Sequence, residues 1–160
     1  MRHGYKGFTL VELMVTVAVL AILITVGIPS FVGLLNSSKA DTEVGDMVRA
    51  FNYARLEAIN RGMPTQVRTE AGSNWTGKLS VVINTGATAP TAASSTLRVI
   101  PAMSSAAALN TPNIVYIEFN NMGALTYPAS ALNITYTRGA VTRNFAVCVN
   151  GRVVVSGTCG

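Results

Sequence analysis

The chain has 160 residues, enough for one folded domain and an anchor, and its hydrophobic residues (49%, mean hydropathy +0.40) are concentrated in the N-terminal third. The formal net charge is +5, but without Arg2 and Lys6 the remaining ten basic and seven acidic residues are too balanced to indicate nucleic-acid binding by themselves. The single histidine, His3, lies in this N-terminal stretch, and the sequence holds no metal-ligand cluster, phosphate loop or Ser/His/Asp set, so neither an enzyme nor a cofactor or metal is expected.

A long apolar run dominates the N-terminal third. Glu12 is the only ionisable side chain in residues 8–35, a stretch long enough to span a bilayer as one helix. Arg2 and Lys6 precede it, which favours a cytoplasmic leader and an exported body. A secretory signal peptide is the alternative, although residues 38–40 form a poor cleavage site.

Glu12 is the unusual residue of this run, because a carboxylate inside an apolar helix costs on the order of a few kcal/mol and normally has a partner. A cut before Phe8 would place a new amine about one helical turn from Glu12 of the same helix, or beside Glu12 of a neighbouring one. The run Gly-Phe-Thr-Leu-Val-Glu-Leu at residues 7–13 resembles the processing site of type IV prepilins and type II secretion pseudopilins. The resemblance implies that a prepilin peptidase cuts after residues 1–7, methylates the Phe8 amine and leaves Glu12 to guide docking into a helical filament. Gly7 and Phe8 are then the processing residues.

Pro29 is predicted to kink this helix, because proline removes a backbone donor and clashes one turn back. Gly27 and Gly33 flank it and lower the helix propensity further. The resemblance implies that the helix loosens at these three residues when it packs into a filament. A simple kink in a membrane helix is the alternative.

Residues 36–62 form an amphipathic continuation of the helix. The apolar side chains expected to face the body are Val44, Met47, Val48, Phe51, Ala54, Leu56, Ala58 and Ile59. Glu57 and Arg61 are predicted to form an ion pair, and Gly62 followed by Pro64 ends the helix. The Ala-Arg-x-Glu-Ala-Ile segment at residues 54–59 resembles, more narrowly, the FimU/FimT/GspH group of minor pilins and pseudopilins. It points away from the major, shaft-forming pilins.

Residues 63–160 are predicted to form a β-rich body outside the cytoplasm. The segments predicted to be strands are residues 65–69, 79–83, 97–100, 114–119, 132–137, 141–149 and 152–156. Two uncharged stretches, residues 85–96 and 102–112, read as surface loops, and Asn150-Gly151 is a strong hairpin signal. The predicted fold class is therefore α+β, with a long helix, half membrane-type and half amphipathic, packed on an antiparallel β-sheet body, and the resemblance implies that this fold is pilin-like.

The only two cysteines, Cys148 and Cys159, lie near the C-terminus. In an exported body a disulfide between them is expected. It would close a loop of about 12 residues, which is worth roughly 3 kcal/mol on the chain-entropy model.

No acidic residue follows Glu118, but three arginines do: Arg138, Arg143 and Arg152. These three arginines are predicted to share a surface that binds phosphate backbones. Some FimT-type proteins bind DNA through a C-terminal Gly-Arg-x-Arg motif. Here the second arginine of that motif is replaced by Val154.

The resemblance implies a minor pilin of a type IV pilus, made as a single-pass inner-membrane precursor with its body in the periplasm and then assembled into a pilus on the cell surface. Its partners would be prepilin peptidase, the inner-membrane assembly machinery and other major and minor pilins, and its role would be to prime assembly or sit at the tip. A type II secretion pseudopilin and a DNA-binding minor pilin for transformation are the alternatives.

Overall fold

The computed structural model describes residues 7–85 and 95–159, and for Val26 the backbone only. The chain forms two compact units, with the boundary between Leu35 and Asn36. One helix, α1 (Leu10–Arg61), provides the regular structure of the first unit and opens the second. The strands of the second unit are β1 (Thr65–Thr69), β2 (Leu79–Ile83), β3 (Thr96–Ile100), β4 (Ala107–Asn110), β5 (Tyr116–Phe119), β6 (Leu125–Tyr127), β7 (Leu132–Arg138), β8 (Val141–Val147) and β9 (Val153–Val155).

Two antiparallel sheets make up the body. Sheet A has the strand order β3-β2-β1-β5-β6 and sheet B the order β4-β7-β8-β9. In sheet A, Val67 of β1 pairs with Val81 of β2 and Ile117 of β5. In sheet B, Ile134 of β7 pairs with Phe145 of β8. The predicted α+β fold, a long helix on an antiparallel body, is confirmed.

The second half of α1 packs on the body through a stripe rich in alanine. Its buried residues are Ala40, Val44, Met47, Ala50, Phe51, Ala54 and Ala58. The expectation that Leu56 also faces the body is wrong, since Leu56 is exposed, whereas Ile59 lies at the edge of the contact, 42% exposed but packed against Gly123 of the β5–β6 turn. Each helical residue turns by about 100°, which carries Leu56 out of the stripe that contains Ala54 and Ala58.

Phe51 stands at the centre of this packing. Its ring centroid lies 6.3 Å from that of Trp75, in the β1–β2 connection, and 6.3 Å from that of Phe145 in β8. The Trp75 indole N–H donates to the carbonyl of Ile114 at 2.8 Å, which satisfies the one polar group of that buried ring. One helical side chain therefore contacts residues attached to both sheets.

The helix ends where the sequence predicts. Gly62 follows Arg61 with a left-handed φ of +67°, the conformation that glycine adopts most readily after a helix. The predicted ion pair is present, with Arg61 Nε 2.6 Å from Glu57 Oε2.

Every predicted strand is present with small changes at its ends, but two strands were not predicted. Strand β4 lies in residues 102–112, which were expected to be a loop, and it pairs with the edge of β7. Its Ala-Ala-Leu-Asn sequence has little strand preference, so pairing with β7 decides its conformation. Strand β6 is too short, at three residues, to show a period. Of the other expected loop, residues 86–94 lie outside the described residues.

The predicted Asn150-Gly151 hairpin joins β8 to β9. Gly151 has a φ of +77°, and the N–H of Cys148 donates to the carbonyl of Arg152 at 2.9 Å. Cys148 and Cys159 form the expected disulfide, which ties the segment after β9 back to this hairpin.

We expect Gly151→Ala to lower the free energy of unfolding by about 3 kcal/mol, through both backbone strain and a steric clash. A Cβ on Gly151 would lie 1.8 Å from the carbonyl oxygen of Gly123. Gly72→Ala is the matched control, because Gly72 also has a positive φ (+55°) but nothing within 4 Å of its Cβ position. Denaturant unfolding of the full chain in detergent measures both, and equal losses would contradict the clash.

Candidate processing and assembly site

The predicted cleavage point lies in exposed, non-helical chain. Gly7 and Phe8 precede α1, and the Phe8 side chain is 77% exposed. The peptide bond between them is therefore outside the helical hydrogen-bond ladder and open to solvent. The rest of the predicted leader, residues 1–6, lies outside the described residues.

Glu12 has a local role that the sequence analysis missed. The N–H of Glu12 donates to Thr9 Oγ1 at 3.2 Å, and the N–H of Thr9 points back to Glu12 Oε2 at 3.5 Å. This reciprocal arrangement is a capping box, in which the first and fourth residues of a helix start satisfy each other's backbone donors. The Thr-x-x-Glu spacing in the sequence was the available signal.

The apolar half of α1 is exposed among the residues that the structure describes. By length and composition α1 could span a membrane, since its most apolar stretch has a mean hydropathy of 2.6 and is not buried by the protein. The helix runs through Pro29 without a break, and nothing lies within 4 Å of the Cβ positions of Gly27 and Gly33. Packing among the described residues therefore does not explain the two glycines, and the flexibility expected there stays a prediction.

A polar cluster joins the helix to sheet B. Tyr136 donates to Glu43 Oε2 at 2.6 Å, and the N–H and hydroxyl of Ser104 both donate to Glu43 Oε1. Arg138 Nη1 lies 3.7 Å from the same carboxylate and also bonds Ser104 Oγ, while its Nε donates to Asn36 Oδ1 at 3.2 Å. Desolvation opposes ionisation of Glu43, but the hydrogen bonds from Ser104 and Tyr136 and the charge of Arg138 outweigh it and lower the pKa.

The remaining carboxylates of the body are also engaged. All seven acidic residues of the sequence are among the described residues, and six of them follow Glu12. Five form ion pairs: Asp41 with Arg143, Glu43 with Arg138, Asp46 with Arg49, Glu57 with Arg61, and Glu70 with Lys78. The sixth, Glu118, accepts hydrogen bonds from Gln66, Asn84 and Thr126. No side-chain carboxylate of the described body is left without a partner.

Arg55, in the Ala-Arg-x-Glu-Ala-Ile segment, has a structural contact. Its Nε donates to the carbonyl of Gly123 in the β5–β6 turn at 3.1 Å. That carbonyl lies against Gly151 of the β8–β9 turn, and the N–H of Leu125 donates to Val149 at 2.9 Å. Arg55 therefore holds together the helix and one turn from each sheet.

The three C-terminal arginines do not share the surface that the sequence predicted. Arg138 is buried against Glu43, so its assignment to an exposed patch is wrong. Arg143 Nε lies 2.7 Å from Asp41 Oδ1, and Arg143 Nη2 donates to Ser37 Oγ. The hydrogen bond from Arg143 lowers the pKa of Asp41. Arg152 is exposed beside the hairpin turn rather than in β9. Contact with DNA stays a prediction that rests on Arg143 and Arg152.

The described body, with its helix and two sheets, coincides with a known family. Residues 43–152, more than half of the chain, match the family model described as Type II transport protein GspH. The chain belongs to the GspH family. Residues 2–28 of this GspH-family protein match the prokaryotic N-terminal methylation motif, which agrees with the predicted processing site and with membrane anchoring before assembly. The predicted membership of the type IV pilin-like proteins, which are structural proteins rather than enzymes, is confirmed.

Individual relatives come from pili and from a secretion system. The Type IV narrow pilus major component PilA5 of Thermus thermophilus is 30% identical over 82 residues, 44% of this chain and 69% of that protein. The type IV minor pilin FimU of Pseudomonas aeruginosa superposes with a TM-score of 0.60 at 16% identity, covering 76% of this chain and 88% of FimU. The minor pseudopilin EpsH of the Vibrio cholerae Type 2 Secretion System gives 0.52 at 12% identity, covering 73% and 95%. At these identities the two structures show a shared fold.

We expect Glu43→Gln to destabilise the body by about 3 kcal/mol at neutral pH, because Arg138 would be left buried without its counter-charge. Since the folded-state pKa of Glu43 is below its usual value of 4.5, this contribution is present above that pH and is lost as the pH falls through the folded pKa. The wild type should therefore lose melting temperature more steeply than the variant as the pH falls from about 5 through the folded pKa of Glu43, by about one titrating group. Glu70→Gln, at the exposed pair with Lys78, is the control and should change stability by less than about 1 kcal/mol. Parallel pH profiles for wild type and Glu43→Gln would contradict the assignment.

Proposed function

We propose that this protein is a minor pilin of a type IV pilus. It is made as a single-pass inner-membrane precursor with its body in the periplasm, is cut by a prepilin peptidase between Gly7 and Phe8, and is methylated on the Phe8 amine. It then enters the pilus, where it primes assembly or sits at the tip. Its partners are the assembly machinery and other pilins.

The observation that carries the proposal is the state of the chain around Gly7 and Phe8. The bond is exposed and non-helical, and it immediately precedes a helix whose apolar half the protein leaves uncovered. A peptidase can bind such a segment without unwinding the helix. The apolar half of α1 can contact lipid in the membrane precursor and neighbouring helices in the pilus, because lipid and apolar helices cover it equally well.

Glu12 is proposed to act in assembly through its charge. After the cut, the Phe8 amine would be new and positive, and the Glu12 carboxylate lies one turn into the same helix. In a low-dielectric bundle, a neutralising contact between an amine and a carboxylate of adjacent helices favours docking. Gly27, Pro29 and Gly33 would let the helix adjust as it packs.

A type II secretion pseudopilin is the second candidate, favoured by the GspH family model and by the fold shared with EpsH. The sequence similarity to PilA5, a pilus component, and the greater likeness to FimU support the pilus instead. Quantitative mass spectrometry of sheared pili distinguishes these functions. A minor pilin is expected at a small fraction of the shaft subunit, a major pilin at stoichiometric level, and a pseudopilin not at all.

We expect the mature chain to begin with N-methylated Phe8. Intact-mass analysis of the protein from cells with and without prepilin peptidase measures this directly. Gly7→Val should leave the leader attached, because the peptidase would meet a bulky side chain at the cut, whereas Gly4→Val should still be processed. A mature N-terminus near residue 40 would instead identify a signal peptide.

The two roles of Glu12 are separable by substitution. Glu12→Gln keeps a side chain that can complete the capping box but removes the charge, whereas Thr9→Ala weakens the box and keeps the charge. We expect both variants to be processed, Glu12→Gln to be lost from sheared pili by at least about tenfold, and Thr9→Ala to be retained. Loss of Thr9→Ala with retention of Glu12→Gln would mean that Glu12 serves only its own helix.

A further inference from the structure

We infer that a groove on the outer face of sheet B binds a neutral oligosaccharide. The groove, called here the sheet B groove, has a volume of about 500 Å³, within the range of about 300–1,000 Å³ that is typical of small-ligand sites. The polar side chains that line it are Asn133, Thr135, Thr142, Asn144, Ser156 and Thr158. They come from β7, β8 and the segment that follows β9.

Strand alternation brings the polar side chains to this face. Successive residues of a strand point to opposite faces, so Ile134 and Phe145 lie in the core whereas Asn133, Thr135 and Asn144 point away from it. Thr135 of β7 is paired directly with Asn144 of β8, and side chains paired in this way are neighbours on one face of the sheet. The floor of the groove is therefore a defined arrangement of hydroxyl and amide groups.

The segment after β9 forms one wall of the groove and is fixed at both ends. The N–H of Ser156 donates to the carbonyl of Asn144 at 2.9 Å, and Cys159 is tied to Cys148 by the disulfide. Ser156 also has a φ of +56°, a left-handed conformation that is uncommon for a residue other than glycine. The wall is therefore in place before a ligand binds, which lowers the ordering cost of binding.

The polar side chains of the sheet B groove are not used by the chain itself. None of them forms a hydrogen bond with another residue that the structure describes. In sheet A, by contrast, the side chains of Gln66, Asn84 and Thr126 all donate to the carboxylate of Glu118. The groove thus offers two amides and four hydroxyls, which supply both donors and acceptors to a ligand.

The lack of charge selects the kind of ligand. No lysine, arginine, aspartate or glutamate is among the described residues that line the groove, and the adjacent Arg143 is engaged elsewhere, with Asp41 and Ser37 of α1. A nucleic acid or a phosphate would find no counter-charge, and a metal ion would find no carboxylate. The groups present match a solute that is rich in uncharged hydroxyls, which is the chemistry of a neutral sugar.

A peptide or an acyl chain fits this groove less well. Extended peptides add a strand to a free sheet edge, but β7 and β8 lie inside sheet B, between β4 and β9, and both of their edges are paired. Acyl chains need exposed apolar surface, and the apolar side chains beneath the groove, Ile134 and Phe145, are only 1% and 2% exposed. A sugar needs neither, because its ring hydroxyls can bond directly to the free amides and hydroxyls.

An NMR titration of the isotopically labelled full chain, in a detergent without a sugar headgroup, tests the inference. The probes are two neutral tetrasaccharides, cellotetraose and tetra-N-acetylchitotetraose. We expect at least one of them to bind with a Kd on the order of 1 mM, because hydrogen bonds without aromatic stacking give weak affinity, and to shift the signals of the groove residues. Binding of neither probe at about ten times that concentration would overturn the inference, as would tighter binding of a short DNA oligonucleotide at the same residues.

Two pairs of substitutions locate the binding site. Thr135→Val removes a hydroxyl from the groove with little change of shape, and its control, Thr137→Val, removes one from the same face of β7 outside the groove. Asn144→Ala is matched by Asn110→Ala, since Asn110 pairs with Thr135 on the same face but does not line the groove. We expect the two groove variants to weaken tetrasaccharide binding by about threefold or more and the controls to leave it unchanged. Equal affinity of all four variants would overturn the assignment.

The outcome is independent of the proposed function. Sugar binding is measured on the purified chain, so it does not require the protein to enter a pilus. Absence of the protein from sheared pili would reject the proposed function alone, and absence of tetrasaccharide binding would reject the sheet B groove alone.

Discussion

The body of this protein depends on how closely the second half of α1 approaches the two sheets. Ala40, Ala50, Ala54 and Ala58 are fully buried and keep the helix surface low, so that Phe51 can reach both Trp75 and Phe145. Larger side chains in the alanine stripe would separate the helix from the sheets and leave the aromatic cluster unpacked, since protein interiors tolerate few voids. This shared contact is what makes two sheets and one helix a single hydrophobic core.

Polar contacts then give that packing a defined register. The carboxylate of Glu43 collects donors from Ser104 and Tyr136 and faces Arg138, while Arg55 bonds the Gly123 carbonyl about three helical turns further on. Apolar packing alone is weakly directional, whereas buried polar groups must meet specific partners. The Glu43 contacts and the Arg55 contact therefore hold the helix to the body at two positions along the helix axis. The Arg55 contact also gives a structural reason for the arginine in the Ala-Arg-x-Glu-Ala-Ile segment.

The pairing of charges within the chain also determines the character of the protein surface. The carboxylates of the described body all have partners within the chain, in ion pairs or, for Glu118, in hydrogen bonds. At the other end of the helix, Glu12 combines a capping role with its place in the methylation motif. A residue at the fourth position of a helix start can do both, because its side chain points back towards the N-terminus where a new amine would appear.

The sequence by itself determined the elements whose physics is local: the apolar run with Glu12, the helix stop at Gly62, the Asn150-Gly151 hairpin and the strands with clear β-branched content. The sequence also indicated the family, because each of the two family motifs, at residues 7–13 and at residues 54–59, is a continuous stretch of the chain. Only the tertiary structure decided which helix face is buried, since alanine carries a weak hydrophobic signal and Leu56 a strong one, yet Ala50 is buried and Leu56 is exposed. The tertiary structure also decided that β4 joins sheet B and that Arg138 lies in the interior. The strand β7 that pairs with β4 and the Glu43 carboxylate that faces Arg138 both come from residues distant in the chain.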